Sequence, residues 1–136
     1  MKMLEAVPAL PVSDMDTSIA FYRDTLGFTL VHEEEGFAVL GWDEVQVHLW
    51  HAYDEKWRRV DRPSPVVTGA ESFLAGTASC RIGLDGVDDL YAKLVSHEII
   101  HPNAPLSDQP WGSREFGVLD PDNNLITFYE WRISER

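Results

Sequence analysis

The run Gln109-Pro110-Trp111-Gly112-Ser113-Arg114-Glu115-Phe116, followed by Leu119-Asp120-Pro121-Asp122-Asn123-Asn124, decides how the chain is read. Its first part sets an aromatic ring, a cation and an anion beside a Pro and a Gly, residues that punctuate turns. Its second part is a tight hairpin signal between two apolar runs, 116–119 and 125–129. Two strands joined by that turn are expected, with Trp111 on the loop that leads into the first of them.

Working outward, residues 3–51 and 78–131 carry one plan used twice. Each begins with a short apolar strand, 4–12 and 80–84, and then a helix. The first helix is expected over 15–26, with Ser13 or Asp14 as N-cap and Ile19, Tyr22 and Leu26 at helical spacing; Gly27 stops it. The second is expected over 87–96, with Asp88 and Asp89 near its start. Strands follow at 28–32, 37–41 and 45–50 in the first half, and near 99–100, 115–119 and 125–131 in the second. Periodicity alone supports an α+β fold with antiparallel hairpins. The segment 52–77 breaks the pattern and is read as a long connection, either a surface loop or a lid, carrying Trp57, Arg58, Arg59 and Arg62.

A chain of 136 residues, 44% of them hydrophobic, suits one domain with a substantial core. The net charge of −12, from 23 acidic and 11 basic residues, argues against nucleic acid, whose phosphates need a basic face. No apolar run is long enough to span a bilayer and no signal pattern opens the chain, so no membrane partner and a cytoplasmic location are expected. The single cysteine, Cys80, excludes an internal disulfide framework. No Ser/His/Asp, Cys/His or glycine-rich phosphate signature appears.

The end motif and the twofold plan resemble the bleomycin-resistance branch of the glyoxalase/bleomycin-resistance/dioxygenase superfamily, also called the vicinal oxygen chelate fold. The resemblance implies two β-α-β-β-β modules forming a cleft, module one over about 3–51 and module two over about 78–131. It also poses a choice, because the superfamily contains metal enzymes and metal-free binders.

Carried over by motif, the four metal-ligand positions fall at about Val7, His48, Cys80 and Thr127. Only His48 is a good ligand, whereas a catalytic site needs about three protein ligands. No metal, no cofactor and no catalytic residue are therefore expected. Metal-free relatives bind cationic, planar, glycopeptide-type drugs in grooves between two subunits, by stacking on rings and attraction to carboxylates. Phe37 and Trp111 match aromatic groove positions through Gly36-Phe37-Ala38-Val39 and Gln109-Pro110-Trp111-Gly112; two other such positions fall at about His32 and Arg81. The candidate ligand-binding residues are Phe37, Trp111, Glu33, Glu34, Glu35, Trp50, His48, Arg81, Arg114 and Glu115. Each has a plainer reading as well: Phe37 as core, the three Glu residues as a solvated strand end, Arg114 and Glu115 as an ordinary ion pair. Pro8, in Ala6-Val7-Pro8, sits where relatives exchange the first strand between subunits, though an edge strand would explain it equally.

The reading is a homodimeric, metal-free binder that sequesters a cationic, drug-like small molecule. Its rivals are a metal-dependent enzyme of the same fold using His48, and a binder of some metabolite, an anion if Arg81 and Arg114 are the recognition groups.

Overall fold

The computed structural model describes residues 1–52 and 75–132. The basic connection with Trp57, Arg58, Arg59 and Arg62 lies outside the described residues.

Asp14 opens the first helix: its side chain accepts the Thr17 backbone N–H at 3.0 Å, which satisfies one of the free donors of the first turn. Helix α1 (Met15–Ala20) then widens into a π-helical stretch, Phe21–Leu26, where a single α-helix was expected over 15–26. The backbone N–H groups of Gly27 and Phe28 both return to the Tyr22 carbonyl, and Gly27 leaves the helix at φ +105°, a conformation that suits glycine. No residue type announces such a widening, so the helical spacing of Ile19, Tyr22 and Leu26 concealed it.

Strands β2 (Thr29–Glu34), β3 (Phe37–Trp42) and β4 (Val45–His51) follow as an antiparallel meander. Strand β1 (Ala9–Val12) adds to the edge of this sheet, parallel to β4. It is shorter than the expected 4–12, because residues 1–6 are exposed and outside the ladder. The edge position accommodates Pro8 and Pro11, which have no N–H to donate; the Pro8 carbonyl still accepts from His48 at 2.9 Å.

The second module repeats the topology. Strand β5 (Ser79–Gly83) pairs in parallel with β8 (Leu125–Trp131), and β8 pairs antiparallel with β7 (Ser113–Leu119). Helix α2 (Val87–Leu94) ends in a 3-10 turn, Val95–His97, two residues of which fall within the expected helix over 87–96. Its first N–H groups, from Gly86 and Val87, donate to the Glu130 carboxylate at 3.0 Å. The strand expected near 99–100 is reduced to one bridge, Ile100 to Val118. The outer strand forms later, as β6 (Ser107–Asp108), beyond Pro102 and Pro105, which interrupt the ladder.

One continuous core joins the helix-facing sides of both sheets. Leu10, Tyr22, Leu40 and Leu49 from the first module pack with Ile82, Leu94, Phe116 and Phe128 from the second. A polar link crosses it at the β7–β8 turn. Asp120, 3% exposed, accepts hydrogen bonds from the Tyr22 hydroxyl (2.9 Å), the Asp122 and Asn124 backbone N–H groups (2.9 and 2.8 Å) and Asn124 Nδ2 (3.0 Å). Asn124, fully buried, also donates to the Pro11 carbonyl at 2.8 Å and accepts from the Ala78 N–H. Ser13 gives both its N–H and its hydroxyl to Asp122. Burial, and then the proximity of Asp120, pushes the Tyr22 phenol well above its usual range, so it remains a donor.

Asp120→Ala is expected to destabilise the protein by at least ~3 kcal/mol, because several buried donors lose their acceptor at once, whereas Tyr22→Phe removes one bond and costs about 1 kcal/mol. Urea unfolding monitored by circular dichroism, with an unchanged slope against urea, measures both.

Candidate functional site

Successive side chains on a strand point to opposite faces of the sheet. The helix-facing side of each sheet is core, so the residues available to a ligand lie on the other, open face.

On the first sheet the register sets Phe37 beside Trp50 and Val39 beside His48, all on the open face. The Phe37 and His48 rings meet edge-on with centroids 5.2 Å apart, and the His32 ring is 6.5 Å from Phe37. His48 Nε2 lies 3.4 Å from Gln46 Oε1. The run Glu33-Glu34-Glu35 does not form one patch. Glu34 pairs with Phe37 in register and shares the open face; Glu33 pairs with Ala38 and points to the helix side; Glu35 is in the turn with Gly36.

On the second sheet, Arg81, Thr127, Tyr129, Glu115 and Ser113 share the open face. Glu115 is the buried member, with its side chain 11% exposed. Arg81 donates to both of its oxygens, at 3.2 and 2.9 Å, and the Ser113 hydroxyl donates to one of them at 2.6 Å. The Arg81 guanidinium holds the Glu115 carboxyl below its usual range; desolvation opposes this, and the Ser113 hydroxyl and Trp111 side chain assist it. The same guanidinium lies 4.7 Å from the centre of the Tyr129 ring. Trp111 itself is 53% exposed at the loop before β7.

Arg114 and Glu115 do not pair with each other, as adjacent strand residues face opposite ways. Arg114 reaches the helix side and bonds Asp88 at 2.9 Å and Asp108 at 3.3 Å, and its guanidinium holds the exposed Asp88 carboxyl below its usual range. Cys80 also departs from expectation. It pairs with Ile126 in register, on the core side, while Arg81 is the residue beside Thr127. Burial pushes its thiol up to about 11. The place inferred for a third ligand on the open face thus belongs to a guanidinium, and no group of three or more His, Cys, Asp or Glu is arranged to hold a metal ion among the described residues.

The ten sequence-chosen residues therefore separate. Phe37, His48, Trp50 and Glu34 belong to one open face, Arg81 and Glu115 with the neighbouring Trp111 to the other, and Glu33, Glu35 and Arg114 to neither. Tyr129 and Ser113 join the second group, beyond the residues the sequence pointed to. The alternation of β8, and the spacing of Ser113 two before Glu115, carried that signal. A cavity of about 360 Å³ opens between Phe28, Trp42 and Val45 of the first module and Ile82, Leu84 and Phe128 of the second; none of the ten lines it.

The family model described as Glyoxalase/Bleomycin resistance protein/Dioxygenase superfamily matches residues 6–128. Bleomycin resistance proteins of Geobacillus stearothermophilus and Staphylococcus aureus are each 59% identical over 128 residues, spanning 94% of this chain and 97% of theirs. A bleomycin-binding protein from Streptomyces verticillus, solved with copper(II)-bleomycin, superposes with a TM-score of 0.68 at 24% identity, covering 94% of this chain and 96% of that one. A lactoylglutathione lyase from Agrobacterium tumefaciens does so with a TM-score of 0.70 at 22% identity, covering 96% and 95%. At that identity a binder and an enzyme share the fold alone, and the fold does not choose between them. The family match over most of the chain and the near-full-length relatives lead to one conclusion: this chain belongs to the glyoxalase/bleomycin resistance protein/dioxygenase superfamily.

Proposed function

We propose that this chain is a metal-free binder that sequesters a cationic, drug-like small molecule of the bleomycin type stoichiometrically, without chemistry, in the cytoplasm. The observation that carries the reading is the 59% identity to bleomycin resistance proteins, spanning nearly the whole of both chains. The open faces agree with it. One offers the Phe37–His48 ring pair and Trp50, the other an exposed Trp111 indole beside a buried anion, Glu115. Rings and carboxylates together suit a planar cation. A metal-dependent enzyme is the weaker reading: of the four inferred ligand positions, Val7, His48, Cys80 and Thr127, only His48 is a good ligand, and Cys80 faces the core with Arg81 beside Thr127 instead. An anionic metabolite is also weaker, because both Arg81 and Arg114 already hold carboxylates.

Phe37 and Trp111 lie on different open faces, so one chain offers two half-sites. A homodimer with twofold symmetry that sets the first face of one copy against the second face of the other completes two equivalent grooves. On this reading 1–136 is a single domain that acts as a pair, and no helix among the described residues is long and apolar enough to cross a membrane.

Calorimetric titration is expected to give one bleomycin per chain at micromolar affinity or tighter. Trp111→Ala is expected to weaken it by about tenfold, the equivalent of losing one stacking or cation–aromatic contact, without lowering the melting temperature. Binding that is absent, or indifferent to Trp111, would remove this reading. Light scattering at micromolar protein is expected to give the mass of a dimer, and a clean monomer contradicts the groove model. Elemental analysis after purification without chelator is expected to find substoichiometric metal, with no stabilisation by zinc, nickel or manganese. About one tightly held metal per chain, lost on His48→Ala, would favour the enzyme instead.

A further inference from the structure

The Glu115 carboxylate is built into the sheet, whereas its cation is not. Glu115 is 11% exposed at the side chain and is held by Ser113 from its own strand, independently of Arg81. The Arg81 side chain is 47% exposed and reaches the carboxylate from the edge strand β5, across β8. Beneath the guanidinium lies the Tyr129 ring, at 4.7 Å. That ring is laid against the backbone of β5: a Cβ on Gly83 would come within 2.9 Å of it, so only glycine leaves room for it there. Trp131 meets the same ring edge-on, with centroids 5.8 Å apart. The result is a fixed carboxylate and a fixed ring with a planar cation between them, which is the arrangement that recognises a guanidinium or amidinium group. The cation that fills it is the chain's own.

We infer that Arg81 is a built-in competitor: its guanidinium occupies, between Glu115 and Tyr129, the seat of a ligand's planar cation, and the ligand binds by displacing it. This inference rests on the binder reading and specifies its ligand as one carrying a guanidinium- or amidinium-type group. The carboxylate is not stranded when Arg81 leaves, since the ligand's donors replace those of the arginine and the Ser113 bond stays. Arg81, half in solvent, swings out and is hydrated. The cost is a fractional occupancy of the open state, which weakens the apparent affinity by that fraction. In return the empty protein never carries an unpaired buried carboxylate, whose desolvation is expensive.

Chemical rescue tests this. Arg81→Ala vacates the seat, and millimolar methylguanidinium chloride is expected to raise its melting temperature by several degrees over sodium chloride of equal ionic strength. Wild type, whose seat is filled, and the Arg81→Ala/Glu115→Gln double variant, whose seat lacks its anion, are expected to show no rise. Arg81→Gln, which keeps most of the stem, gives the same answer should Arg81→Ala fail to fold. No rise in either single variant, or an equal rise in the double variant, overturns the inference. Bleomycin supplies a second arm: Arg81→Ala is expected to bind it about tenfold more tightly than wild type, the competitor having been removed. Equal or weaker binding by the variant overturns displacement while leaving the binder reading intact. If neither protein binds bleomycin, the binder reading fails, and the methylguanidinium result alone decides the role of Arg81.

Discussion

The Asp120 carboxyl is buried against four donors, and one of them, the Tyr22 hydroxyl, belongs to the other module. A buried polar group left without partners costs more than a hydrogen bond gains, so this cluster tolerates little rearrangement. Its members settle several things together. They shape the β7–β8 turn, they fix β8 against β5 through Asn124 and Ala78, and they dock the β1–α1 junction through Pro11 and Ser13. The apolar core supplies most of the adhesion between the modules but is not directional. The turn supplies the direction.

With the modules held this way, the helix-facing sides of both sheets are used up as core, and recognition is left to the two open faces. Strand alternation then sorts the charges. Of the consecutive pair Arg114 and Glu115, one serves the helix side and the other the open face. Of Cys80 and Arg81, the thiol goes inward and the guanidinium outward. A chain with a large negative charge thus presents at its second face a carboxylate already matched by a cation, backed by Tyr129 and Trp131.

Much of this was legible in the residues, for identifiable reasons. The hairpin at Asp120 was, because its turn chemistry is local. The helices and most strands were, because their apolar spacing is set by a single buried side. The failures share a cause, which is that the deciding partner is distant in sequence or leaves no mark on it. The π-helical widening at Phe21–Leu26 carries no residue signature. The shift of the outer strand from 99–100 to Ser107–Asp108 was marked by Pro102 and Pro105, whose force depends on which edge needs their missing N–H. In the site, composition singled out Glu33, Glu34 and Glu35 as a unit, and alternation dispersed them. Tyr129 was passed over because its value lies in Gly83, which lies far from it in the chain and makes room for its ring.

The same turn also imposes an order in time. Tyr22 waits for a partner 98 positions further on, Ser13 for one 109 further on, and the Pro11 carbonyl for one 113 further on. A growing chain therefore leaves the Tyr22 hydroxyl and the Pro11 carbonyl unanswered until residues 120–124 have been made. Closing loops of that length is slow compared with forming a helix or a hairpin. A nascent chain that stalls before Asn124 has made every element of its first sheet and still lacks the polar groups that dock it to the second. Fragments that stop short of this turn lack the polar link between the modules and are expected to be cut by proteases more readily than a chain that contains it.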